Sequence, residues 1–176
     1  MMRRMRALMA LAVVFLSLSS SIYALEYQFS FDETLDSTAQ VRVHRIAERI
    51  IEITGSQEFQ DYVVQNKYAC YNQSNLPDGV NTKEDVLSHL KNVTIKMNLA
   101  LLPASSNVMG STSGQNVSIN EYHFNNSTDA AIANTLLHEG LHTIGFGHCG
   151  LNNIRLFPWI KKSIPYRLGN FVEDNF

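Results

Sequence analysis

Hydrophobic positions recur with a helical period from Ser37 onward. Val41, Val43, Ile46, Ile50, Ile51 and Ile53 form one stripe, interleaved with Arg42, Arg45, Glu48, Arg49 and Glu52. Ser37 or Thr38 can cap the start of this helix, and Gly55 can end it. A shorter helix is expected from Gln57 to Gln65, with Phe59, Tyr62 and Val63 on one side. Asn72 to Gly79 is turn chemistry. Thr82 then caps a further helix with Asp85 three residues on, burying Val86, Leu87 and Leu90. The period changes at Val93, where apolar and polar residues alternate as far as Leu99, the pattern of a strand with one face on a core. Pro103 to Gln115 reads as a polar loop around an isolated Met109. Val117 to Phe124 reads as a second strand whose apolar phase shifts from Val117 and Ile119 to Tyr122 and Phe124, as at a bulge or in a strand covered unevenly. Ser127 or Thr128 caps a further helix, with Asp129 in its positively polarised first turn. Ala130, Ala131, Ala133, Leu136, Leu137 and Leu141 make it apolar around most of its circumference, so it is expected at the centre of the fold.

The chain has 176 residues, 45% of them apolar, enough for one core and not for two. Residues 1–24 stand apart: Arg3, Arg4 and Arg6 precede an apolar run from Ala7 to Leu18 and a small-residue end, Ser19 to Ala24. That is the layout of a secretory signal peptide, and the run is short for a bilayer span. An uncleaved anchor is the alternative. Without those three arginines, the 14 Lys+Arg become 11 against 16 Asp+Glu, a net charge of −5. A mildly acidic mature domain, residues 25–176, argues against nucleic acid or an anionic membrane surface as its main partner. Cys70 and Cys149 are the two cysteines. In an oxidising compartment they are most simply one disulfide, closing a long loop and worth roughly 4 kcal/mol in the chain-entropy model. A thiolate at Cys70 that blocks a metal, or two free thiols, are the other readings. Asn-x-Ser/Thr sites at Asn72, Asn92, Asn116, Asn125 and Asn126 are glycan acceptors only in a eukaryotic secretory route.

The densest chemistry lies in His138-Glu139-Gly140-Leu141-His142-Thr143-Ile144-Gly145-Phe146-Gly147-His148. Residues four apart share a helix face, so His138 and His142 can bind one metal ion, with Glu139 one step round and within reach of a water on it. Had the helix continued, His148 would lie about 9 Å further along and about 240° round. The chain must therefore leave the helix first, and Gly145 can adopt the left-handed conformation that ends one. Three imidazoles and an open fourth position describe a catalytic zinc site, whereas four closed ligands describe a structural one. His44, His89 and His123 are read as surface or structural histidines.

This H-E-x-x-H-x-x-G-x-x-H stretch resembles the signature of the metzincin zinc endopeptidases, matched by His138, His142, Gly145 and His148, with Glu139 at the general base. The resemblance is specific over these eleven residues and loose elsewhere. It implies a small α+β domain in which a twisted mixed sheet packs on a backing helix and a central zinc-binding helix. It also implies one catalytic Zn²⁺, a peptide or protein substrate, and a secreted or periplasmic location. The strand before the zinc helix is then the sheet edge on which substrate pairs, so Ser113 to Asn120 becomes the upper rim of the cleft. Cys70 lacks the surroundings of the family's inhibitory cysteine switch. Beyond Met109 there is no methionine, so the usual methionine turn beneath the zinc is missing. Ser163-Ile164-Pro165-Tyr166 stands nearest to its place. Pro165 is then a filler beneath the imidazoles, and Tyr166 a phenol that stabilises the tetrahedral intermediate, with its spacing off by one.

The function expected is a monomeric, secreted zinc endopeptidase in which Glu139 acts as general base. A catalytically weak zinc-stabilised binding protein and a zinc amidase acting on a non-protein amide are the rivals.

Overall fold

The computed structural model describes residues 25–66, 75–148 and 160–176. The expected signal peptide, Cys70, Cys149 and Asn72 lie outside the described residues.

Among the described residues four strands and six α-helices follow one another: β1 Glu26–Phe31, α1 Ser37–Thr54, α2 Gln57–Gln65, α3 Lys83–Asn92, β2 Thr94–Leu102, β3 Gly110–Ser113, β4 Asn116–Asn120, α4 Glu121–Asn126, α5 Asp129–Thr143 and α6 Ile164–Asp174. A 3-10 turn, Ile160–Lys162, precedes α6. The strands lie in the order β1-β2-β4-β3. β1, β2 and β4 run parallel, and β3 is antiparallel to β4. The result is a small α+β domain with a mixed sheet.

Alternation along β2 explains its orientation. Ile95, Met97 and Leu99 are buried while Lys96 and Asn98 are exposed. The buried face meets Val43, Ile46 and Ile50 of α1 and Ile132, Leu136 and Leu137 of α5 in one core. The opposite face is polar: Ser30 donates to Asn98, and Asn98 donates to Asn116, across three strands. Parallel sheets usually have both faces covered. Here side-chain hydrogen bonds between neighbouring strands clothe the outer one.

Most expected helices form where their caps predicted. Thr82 and Asp85 make a reciprocal capping box at α3, and Thr128 accepts from Ala131 N at α5. At α1 the cap is Asp36, whose carboxylate accepts from Ala39 N, in place of Ser37 or Thr38.

Three strand expectations are corrected. β1 was not expected, although Tyr27, Phe29 and Phe31 alternate with polar residues and stack on one another. β3 falls inside the expected loop. The expected bulge does not exist: β4 ends at Asn120, whose side chain accepts from His123 N and starts α4. A change of period from two to 3.6, and not a slip within a strand, moved the apolar phase. Among the described residues no helix is long and apolar enough to cross a membrane.

Candidate metal centre

α5 carries the first two histidines because its apolar sides are fixed by the core and leave one face for chemistry. His138 and His142, one turn apart, have ring centroids 5.0 Å from each other. The helix stops at Thr143. Gly145 follows at φ +96°, a conformation that costs a side chain about 1–2 kcal/mol. Phe146 then buries its ring, with its N–H returning to Leu141 O. Gly147 N–H donates to Asn75 O at 2.8 Å, tying the segment to the loop before α3. That route delivers His148 back to the helix, as the glycine in the sequence predicted.

The three imidazoles converge. His148 Nε2 lies 3.3 Å from His138 Nε2 and 3.1 Å from His142 Nε2. A tetrahedral ion with M–N bonds near 2.05 Å sets its ligand nitrogens about 3.3 Å apart. Both His148 distances match that value, and the three ligand atoms all lie within 4.8 Å of one another, close enough for one ion to be shared. Their outer nitrogens are held as well. His142 Nδ1 donates to Phe146 O at 2.6 Å, which fixes the tautomer and leaves Nε2 as a lone pair facing the centre. His148 Nδ1 lies 3.2 Å from Ser163 Oγ. Ser163, at the N-terminus of α6, was missed in the sequence, since nothing local links it to a histidine fifteen residues earlier.

Electrostatics favour the ligand form. Burial, and then the neighbouring His142 and His148, push the His138 imidazole down to about 3, so it stays neutral. Burial also raises the Glu139 carboxyl, a shift opposed by the hydroxyl of Thr112 and by His142. Glu139 is only 7% exposed and makes no ion pair among the described residues. A buried carboxyl of this kind in a cavity is a mark of a functional position.

β3 clamps that carboxyl. Thr112 Oγ1 donates to Glu139 Oε2 at 2.6 Å. Gly110 closes on the other side: a Cβ there would sit 2.8 Å from Oε1 and 2.9 Å from Cγ. The strand beside the site is therefore β3, which forms the sheet edge, while β4 is interior. The expected sheet-edge strand, Ser113 to Asn120, is corrected to Gly110–Ser113.

Ser163-Ile164-Pro165-Tyr166 is no turn beneath the imidazoles. Ser163 is the N-cap of α6, and Pro165 occupies its first turn, where a missing N–H costs nothing. Tyr166 reaches the site, its ring edge-on to His138 at 4.4 Å and tilted over His148 at 5.1 Å. The remaining histidines stay outside the triad. His44 packs on Phe29 and Phe31, and His89 lies against Phe146 and Ile144 O. His123 bridges Ser127 and Thr135. The triad, Glu139 and Tyr166 line one cavity of about 920 Å³.

No protein-family model, curated protein or solved structure matches the chain.

Proposed function

We propose that this protein is a secreted, metzincin-like zinc endopeptidase. The observation that carries the reading is the convergence of three imidazoles, whose ligand atoms lie within 4.8 Å of one another, beside a buried, clamped carboxyl, all on an open cavity. A zinc ion bound there supplies Lewis acidity and brings the pKa of a water to about 7. His138, His142 and His148 hold the ion. Glu139 takes the proton from the attacking water, keeps it in a site whose burial favours the neutral acid, and passes it to the departing amine. Thr112 and Gly110 keep its carboxyl in one orientation through both transfers. Tyr166 donates its phenol hydrogen to the oxyanion that forms at the carbonyl. The free side of β3 takes the peptide as an added strand.

A purely structural zinc site has no use for a buried carboxyl next to its ligands, which sets the zinc-stabilised binding protein behind this reading. The test is Glu139→Ala. It is expected to retain zinc and to lose hydrolysis of casein and of a peptide library, as the wild type does in chelator. Cleavage by the variant at the parental rate removes Glu139 from the mechanism.

A further inference from the structure

The cavity does not end at the histidines. α5 and α6 pack side by side, and the cavity continues along them past Asn134, Asn170 and Glu173. Asn134 lies one turn before His138, and Asn170 one turn after Tyr166. α6 can approach this closely because residue 169 is glycine; a Cβ there would stand 2.2 Å from Asn134 Oδ1. The Asn134 amide group is thereby held, and its Nδ2 donates to Asn170 Oδ1 at 3.1 Å and to Glu173 Oε2 at 2.5 Å.

The cluster is anionic and faces solvent: Asn170 and Glu173 are exposed, and the charge of Glu173 is felt at His123 on the same cavity. Among the described residues Glu173 makes no ion pair, and its Oε1 meets no hydrogen-bond donor. The described lining of the cavity includes two glutamates and no lysine or arginine. Arg42, whose charge is felt at His123, is engaged with Asp129 and with the carbonyls of Phe124 and Ser127. A positive group entering from the triad would meet no competing cation among these lining residues.

We propose that this end of the cavity is a subsite for a lysine or arginine side chain of the substrate, bound by Glu173 with Asn134 fixing the carboxylate and Asn170 beside it. The proposal rests on the endopeptidase reading for the identity of the ligand as a peptide. Scale supports it: from Tyr166 to Asn170 and Glu173 is about 6 to 10 Å along the helix, within reach of a long basic side chain whose backbone lies at the triad. Glu173 makes this end of the cavity selective for a positive side chain.

The test uses zinc-loaded Glu139→Ala protein, which holds peptides without turnover, and fluorescent hexapeptides on an alanine background. Lysine, norleucine or glutamate occupies each position in turn, and binding is read by anisotropy. At one position lysine is expected to bind about fivefold tighter than norleucine, the upper range for a partly exposed ion pair, with glutamate weakest. The advantage shrinks at high salt, where screening acts over only a few ångströms. Adding Glu173→Gln removes it, and Glu173→Lys inverts the order of lysine and glutamate. A lysine preference that survives Glu173→Gln, or no position that discriminates, overturns the proposal. Cleavage of the same peptides by the wild type, with no charge preference at any position, also overturns it while leaving the peptidase reading intact. Charge-selective binding without any cleavage leaves the subsite standing and sinks the peptidase reading.

Discussion

The two halves of the candidate metal centre are built on different principles. His138 and His142 ride on α5, where the helical repeat sets their separation and the core sets the direction of their face. His148 arrives on a segment without regular structure. Its position depends on Gly145, on buried Phe146, on the hydrogen bond from Gly147 to Asn75, and on Ser163 of α6. One half is preorganised by local geometry, and the other by contacts from three separate parts of the chain. The contrast implies that disturbances away from the ligands reach the site mainly through His148.

The largest effect is expected from acid on the metal-free protein. His138 has a folded-state pKa of about 3 against an ordinary 6.5. The unfolded chain therefore takes up a proton that the fold refuses. Stability is full above pH 6.5 and falls as pH drops from there toward 3, by up to about 1.4 kcal/mol per unit from this group. Urea midpoints of metal-free protein between pH 7 and about 3 check this, and a flat profile contradicts it. Bound metal is lost in the same direction.

Phe146→Ala comes next. Emptying a site that is 1% exposed is expected to cost about 3–5 kcal/mol of stability and to loosen His148. At wild-type stability and metal affinity, the variant would show that the segment is not held as described. Gly145→Ala tests the bend alone: Pro77 leaves ordinary van der Waals room, so the cost is the positive φ, about 1–2 kcal/mol. Thermal unfolding of the metal-free variant measures it. Ser163→Ala has the smallest predicted reach, about a tenfold loss of zinc affinity with the metal-free fold unchanged. Equal affinity in competition with a chelator would mean that Ser163 does not orient His148.

The same division explains how much could be read from the sequence. The α5 half needed only spacing, and Gly145 announced the departure from the helix. α1, α2, α3 and β2 were legible because their apolar periods are unbroken. β3 was not: Gly110, Ser111, Thr112 and Ser113 carry no apolar alternation, and the strand exists through its pairing with β4 and its fit to Glu139. α4 was mistaken for strand because a six-residue helix leaves too few positions to separate the two periods. Tyr166 was placed near the site by likeness to a turn, and it reaches the site from a helix instead. Ser163, Asn134 and Glu173 owe their contacts to the way α6 meets α5 and the segment after it, which no local pattern encodes.

X-ray absorption at the zinc edge of the reconstituted protein tests the shared site most directly. The account predicts three imidazole nitrogens at about 2.0–2.1 Å and one light oxygen scatterer, with His148→Ala reducing the imidazole count to two. A sulfur scatterer, or an unchanged imidazole count in His148→Ala, would contradict it.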